Sequence, residues 1–312
     1  MHNRAAPRRH RTLNSPTSDL SITLSDLRPA LQRLAFLFDV KAGFVILLSE
    51  YLAAFPMNPI YNFIAELQEI TLLFWNSIKG LGKKPRYFQD IIQQMDEIGV
   101  GSLAIVVLTG FFTGGVIILQ SYPTLEYYGA ESNAGQGVAT GLIRELGPVL
   151  SALMVAGRVG SAISAELGSM VVSQQIDAMR ALGTSPVRKI VTPRIIALLL
   201  TLPLLTIAAD ISGLAGGGVV AKQLHGLDLN VYISSVRTGT KFSDLMTGMI
   251  KPIFFGILIG LISCHKGLTT KGGTVGVGIS TTQAVVLSSI CVIIADFFLS
   301  KILQSALGGM LF

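Results

Sequence analysis

Between Glu97 and Glu126 the chain carries no charged residue, and Val100 to Leu119 is continuous enough in apolar residues to cross a bilayer. About 20 such residues cross the hydrocarbon layer of a bilayer as a helix, since no water is present there to satisfy an irregular backbone. This run places the chain in a membrane before any other feature is read. Five runs of the kind occur, at about 98–121, 145–172, 193–220, 245–265 and 283–307. Apart from Glu145 and Arg194 at their edges, their few interruptions are Arg158 and Glu166 in the second, Pro203 and Asp210 in the third, Lys251 near the start of the fourth, and Asp296 and Lys301 in the fifth. Over the whole chain 13% of residues are charged, against about 25% in soluble domains, which argues against a soluble enzyme. Aromatic residues make up 7% and there are 33 glycines, so the apolar excess is aliphatic and small, a mix that lets membrane helices approach closely. The net charge of +6 does not point to nucleic acid, because the cations lie in the connections between apolar runs. Cys264 and Cys291 have neither metal-ligand spacing nor a disulfide framework and read as small apolar residues.

The expected fold class is all-α: a polytopic membrane protein with five transmembrane helices. A further segment at about 60–80 pairs Glu66 and Glu69 with Trp75 and Lys79, which suits an N-terminal helix lying in the interface. Lys and Arg number four in residues 79–93, four in 171–196 and two in 264–282; the intervening connections hold none in 121–141 and three in 222–244. By the positive-inside rule the first three stretches are cytoplasmic, and the C-terminus faces out. Residues 1–56 differ in kind, with four arginines and no acid in the first 18 and a poor spanning segment at Leu34 to Phe55. They fit a disordered or interfacial extension, an Arg-rich targeting peptide, or sequence upstream of a start at Met57. The last is favoured, because Met57 opens directly into the interfacial segment. The expected organisation is thus an extension at 1–56 and one membrane domain at 57–312.

The chemistry concentrates between Arg144 and Arg194, in RELGPVLSALMVAGRVGSAISAELGSM, then VVSQQIDAMRALGTSP, then VRKIVTPR. On a straight helix of about 100° per residue, Arg144, Arg158 and Glu166 fall within roughly 80° of one another. Ionisable groups at membrane depth cost about 2.5–3.5 kcal/mol each, so they turn to a partner or a wet cavity. Arg158 and Glu166 read as the polar face of this helix, placed for structural ion pairing. Arg144 and Glu145 stand at its outer entrance, beside Gly147 and Pro148, where a substrate path is expected. Ala156, Gly160, Ser164 and Gly168 form a small-residue row suited to close packing. Glu145, Lys251 and Asp296 would balance one another if their helices met; alternatively Lys251 snorkels to the interface. In the connection after the second span, Ile176, Met179 and Leu182 recur at three-residue spacing around Asp177 and Arg180 and are closed by Gly183 and Pro186. This short amphipathic helix is either a turn buried on its own protein or a surface for a cytosolic partner. LTTKGGTVGVGIST lacks the order of a phosphate-binding loop and reads as a tight turn. No metal or cofactor is expected in this chain; if ATP drives it, another chain binds the ATP and Mg.

The run RELGPVLSALMVAGRVGSAISAELGSM with QQIDAMRALGTSPVRKIVTPR resembles the signature of the MlaE/YrbE permease family. The likeness continues through TGFFTGGVIILQ and ISTTQAVVLSSICVIIADFFLS and covers about Met57 to the C-terminus. The resemblance implies the permease subunit of an ABC transporter moving phospholipids or related lipids between the bacterial inner membrane and the outer envelope. It implies a homodimer with cytosolic ATPase subunits, a periplasmic hexamer of MCE-domain proteins and usually a STAS-domain protein. By position, the family's coupling helix falls on Gln175, Ile176, Asp177, Met179, Arg180, Leu182 and Gly183. Its lipid pocket at the dimer axis falls on Ile117, Leu125, Tyr128 and Arg144, and its intramembrane charges on Glu145, Lys251 and Asp296. The 56-residue extension has no counterpart in a typical member, and its Arg-rich start also suits a plastid-envelope homologue. The alternative from another class is an ion-coupled secondary transporter using the carboxylates of Glu145, Asp210 and Asp296, against which stand five spans and no inverted repeat. A non-transporting scaffold is a further alternative, but it leaves Arg144 and Glu145 without a purpose.

Overall fold

The computed structural model describes residues 58–81 and 87–308, with side chains placed for 64–79 and 87–305. The extension at 1–56 and the start proposed at Met57 lie outside the described residues. Among those described, helices follow one another and no strand forms. They are α1 (Asn58–Leu81), α2 (Phe88–Tyr127), α3 (Glu131–Val172), α4 (Gln175–Ala181), α5 (Val187–His225), α6 (Leu229–Gly239), α7 (Phe242–Leu268) and α8 (Gly273–Gly308). Contacts divide the chain between Glu66 and Leu67, and α2 to α8 lie in the second unit. Helices α2, α3, α5, α7 and α8 are each long and apolar enough to cross a membrane, which makes the protein an all-α, multi-pass membrane protein.

The helices outrun the apolar runs that announce them. The 40 residues of α2 rise about 60 Å, twice the hydrocarbon thickness. Its first turns carry Asp90, Asp96 and Glu97, so the excess projects from the bilayer. Likewise α3 begins at Glu131 rather than near residue 145, and α8 at Gly273 rather than near 283. Hydropathy marks only the portion that lipid covers, whereas a helix continues until a turn stops it. At the start of α8 that turn is made by Gly272 and Gly273, both at positive φ, so most of the glycine-rich segment is helix and the turn is shorter than the motif.

The connection between α5 and α7 contains α6, which has too few apolar residues to show as a span. Asp228 caps it, accepting from the Asn230 N–H at 2.9 Å. Its Tyr232 is buried against α5 and donates its hydroxyl to the Leu214 carbonyl at 3.1 Å. Burial pushes that hydroxyl up to about 12, so it remains a neutral donor.

Two seams of small residues bring the spans together. Gly110 and Gly114 of α2 lie on the backbone of Ala209 and Gly213 in α5, and Gly216 lies on the Phe111 carbonyl. Ser212 crosses the same seam, donating to the Val107 carbonyl at 3.0 Å. On α3, Gly160 faces Ser263 of α7, and Gly168 faces Thr270 and Val277 at the start of α8. Around these seams the buried side chains form two clusters. One is built around Val155, Leu198, Leu202, Phe255 and Ile259, the other around Ile118, Tyr122, Val138 and Tyr232.

Helix α3 is not straight. Wide π-helical turns at Leu142–Leu146 and Ala156–Gly160 interrupt it, and a third opens α5 at Val187–Val191. Each adds a residue to its turn and rotates everything beyond it, so regular 100° spacing no longer says which residues share a face.

At the α2–α5 seam a Cβ on Gly114 has no room beside the Gly213 carbonyl, whereas one on Gly137 meets nothing within 4 Å. Gly114→Val is therefore expected to destabilise the protein by about 1–3 kcal/mol or more. Gly137→Ala should stabilise α3 by about 0.5–1 kcal/mol. Thermal unfolding of the detergent-solubilised protein checks both signs.

Candidate functional site

The ammonium of Lys251, on α7, is fully buried, at 0% exposure. It donates to the Arg144 carbonyl at 2.9 Å and to Glu145 Oε2 at 2.5 Å, and Asp296 Oδ1 of α8 lies 3.0 Å away. An ammonium has three donors, and here each has an oxygen in reach. The first two belong to the π-helical turn of α3, which places a backbone carbonyl and the next side chain on the same cation. Ser300 of α8 supports Glu145 from the other side, donating to Oε2 at 3.1 Å. Three spans are thus tied at one point. The sequence left open whether Lys251 pairs or snorkels; in the structure it pairs with Glu145 and Asp296.

The other expected polar residues on α3 point to three different helices. Arg144 reaches Asp244 in the first turn of α7 at 3.5 Å, Arg158 donates to Ser102 of α2 at 2.9 Å, and Glu166 meets Arg194 of α5 at 2.6 Å. The shared face expected for Arg144, Arg158 and Glu166 is therefore absent, because the two π-helical turns break the regular spacing. Nor does Arg144 stand at a helix entrance: α3 has already run from Glu131. Asp244, Ser102, Ser300 and Arg194 were not singled out by sequence. Asp244 alone left a trace, as an acid in the first turn of its helix, where its carboxylate accepts from the Lys241 N–H at 3.1 Å.

Along α2 runs an apolar groove of about 450 Å³, lined by Ile105, Leu108, Phe112, Val116 and Ile117, with Leu146 of α3 beside them. Thr109, Thr113 and Gln120 give it a few polar atoms. Of the four residues expected to bind lipid, Ile117 alone lines this groove. Leu125 packs with Ile117 on the Ile118–Tyr122 cluster, Tyr128 is 74% exposed beyond the end of α2, and Arg144 is held by Asp244. Within one chain these four do not form one pocket. Asp210, on α5, sits against Gly147 with Oδ1 buried and without a hydrogen-bond partner.

At the opposite end from α6, α4 is a seven-residue helix between α3 and α5. Gln174, in the left-handed region at φ 59°, and Gly183, at φ 73°, make the tight turns on either side. The three apolar residues spaced along it do not share an exposed face. Ile176 is buried against its own protein, Met179 is half-buried and Leu182 is 82% exposed. Steps of three residues drift by about 60° each on a helix, and α4 ends before Leu182. Asp177 and Arg180 pair at 3.0 Å on the open side, where Gln175 is also exposed.

The bundle is that of a multi-pass membrane protein with an apolar groove among its spans and a short helix presented at one end. The chain belongs to the MlaE permease family, whose model, described as "Permease MlaE", matches residues 91–302. It is 39% identical over 227 residues to a probable ABC transporter permease protein of Rickettsia typhi, covering 73% of this chain and 88% of that one. It is 33% identical over 248 residues to the intermembrane phospholipid transport system permease protein MlaE of Haemophilus influenzae, covering 79% and 95%. A similar match, 38% over 225 residues, covers 72% of this chain and 64% of the chloroplastic protein trigalactosyldiacylglycerol 1 of Arabidopsis thaliana.

Removing the cation alone leaves the largely buried Asp296 and the half-exposed Glu145 without their countercharge at membrane depth, and breaking a buried pair costs at most about 3–5 kcal/mol. Lys251→Met should therefore lower stability sharply. The triple variant Glu145→Gln, Lys251→Met, Asp296→Asn should recover most of the loss. Thermal unfolding of the two variants side by side makes the comparison, and a triple variant no better than the single would rule out charge balance as the reason for the cluster.

Proposed function

We propose that the chain is the permease subunit of an ABC transporter that moves phospholipids between the inner membrane and the outer envelope. The observation that carries this reading is the apolar groove on α2, with few polar atoms and an opening to the side, in a chain of the MlaE permease family. Such a lining accepts an acyl chain and offers little to a polar solute. Arg144, partly exposed beside Asp244, would hold an anionic head group, with Ile117, Leu125 and Tyr128 facing the acyl chains where two copies of the permease meet.

Energy would come from ATP and Mg bound by a partner ATPase. The tight turns around α4 would pass the ATPase's motion to α3 and α5 as a rigid-body shift, and the Lys251 cluster would carry it on to α7 and α8. Gln175, Met179, Leu182 and the Asp177–Arg180 pair would form the docking face, with Ile176 anchoring the helix from within. On the far side the lipid would pass to or from a hexamer of MCE-domain proteins, and a STAS-domain protein would complete the assembly. In this reading the chain itself catalyses no reaction.

Co-expression with neighbouring ATPase and MCE genes, followed by mass spectrometry of the proteins and lipids retained on a tagged permease, tests the reading. Both partners and phospholipid should be recovered together; a permease that purifies alone and lipid-free would overturn it. In the same preparation Leu182→Asp should abolish ATPase recovery while membrane insertion is unchanged, and Arg144→Ala should reduce the phospholipid retained.

A further inference from the structure

Arg158 is an arginine within a membrane span whose guanidinium lies at the surface of the bundle. Its side chain is exposed and meets no carboxylate among the described residues; Nη1 donates to the hydroxyl of Ser102, which is itself fully buried. A guanidinium has five N–H donors, and the Ser102 bond uses one. Donors left open at membrane depth are costly, so the arrangement calls for an acceptor from outside the chain.

The seat of this guanidinium is shaped. It rests over Gly101 of α2, where a Cβ would fall 2.5 Å from one Nη and 2.6 Å from the other. Beside it, Gly157 leaves open space. Gly101, Ile105, Leu108, Phe112 and Val116 recur at three- and four-residue steps and so share one face of α2. The last four of these line the apolar groove. Arg158 therefore stands at one end of that groove, one helical turn below Ile105, on the side towards α4. Helix α3 continues beyond it to Val172, about 21 Å along the helix.

A second copy of this chain is a poor source of the missing acceptor. Within the described spans Glu145 and Asp296 are held by Lys251, Glu166 by Arg194 and Asp244 by Arg144. Asp210 has Oδ1 buried behind Gly147. Glu97, one turn from Gly101 on α2, already accepts from the side-chain amides of Gln93 and Gln94 at 3.1 and 3.2 Å.

We infer that Arg158, seated on Gly101 and oriented by Ser102, binds the phosphate of a membrane phospholipid whose acyl chain lies along the α2 groove. The inference rests on reading that groove as a lipid site and adds the group that recognises the head. A phosphate supplies several acceptor oxygens, which matches the bidentate geometry of a guanidinium and satisfies the donors Ser102 leaves open. The site lies at the end of the groove towards α4, so it is a second head-group position, separate from Arg144.

The test is a titration of the purified detergent-solubilised protein, followed by native mass spectrometry. The probes are dioleoylphosphatidylglycerol, dioleoylglycerol as its phosphate-free analogue, and inorganic phosphate. Hydrogen bonds to a charged group contribute enough that Arg158→Gln should weaken phosphatidylglycerol binding about tenfold or more, with dioleoylglycerol binding unchanged. Arg158→Lys should lie between, and Gly101→Ala, which keeps the charge but displaces the guanidinium, should also weaken binding. This last variant keeps the test open if Arg158→Gln does not fold. Equal phosphatidylglycerol affinity in wild type and folded variants would overturn the inference while leaving the groove intact. Arg158-dependent binding of inorganic phosphate with no preference for the lipid would replace it with a soluble-anion site. Loss of the wild-type oligomer in Arg158→Gln without loss of phosphatidylglycerol would assign the residue to a subunit interface. A wild type that binds neither lipid would overturn the groove reading itself, and this inference with it.

Discussion

An ammonium buried among membrane spans has to be surrounded by oxygen, and the fold of this protein is arranged around that requirement at Lys251. Its Nζ takes a backbone carbonyl and a carboxylate from α3 and a carboxylate from α8, while its own stem belongs to α7. Lipid exerts no hydrophobic force that would select one helix arrangement over another. A charge cluster whose members are costly apart therefore specifies which helices meet and at what height. The π-helical turn at Leu142–Leu146 belongs to the same device, since it sets the Arg144 carbonyl and the Glu145 side chain on one cation.

Around that point, close approach is made by absence of side chains. The α2–α5 seam exists because Gly110, Gly114, Gly213 and Gly216 let backbone lie on backbone. On α3, Gly160 and Gly168 admit the side chains of Ser263, Thr270 and Val277, and Gly267 of α7 lies on the backbone of Ser164. Where backbones touch, dispersion contacts are dense and helices move as units. That rigidity suits a protein in which a displacement at α4 is to be felt across the bundle. The groove on α2 lies on the face that the glycine seam leaves free, so one helix serves packing on one side and offers apolar surface on the other.

The five spans were legible in the sequence because lipid allows few alternatives to uncharged runs, and Val100 to Leu119 alone fixed the class. The short helix after the second span was legible from its end signals at Gly183 and Pro186. Helix α6 was not, since its apolar residues are few and its stability comes from Tyr232 and Ser235 packing onto helices distant in sequence. The charged residues were visible one by one, but their pairing was not. Regular spacing put Arg144, Arg158 and Glu166 on one face, and two π-helical turns sent them to Asp244, Ser102 and Arg194 instead.

What this sequence determined by itself is therefore everything that depends on the solvent: membrane residence, helical class, the number of spans, and which residues are too polar to stand alone in lipid. Those are transfer free energies of short segments, and a segment carries them wherever it lies. The tertiary structure decided which polar groups satisfy one another, that Ile176 turns inward while Leu182 remains exposed, and that Arg158 ends beside an apolar groove with donors to spare. These outcomes depend on the rotation and height of one helix against another. A single added residue in a helical turn is enough to change them without altering the hydropathy of the chain.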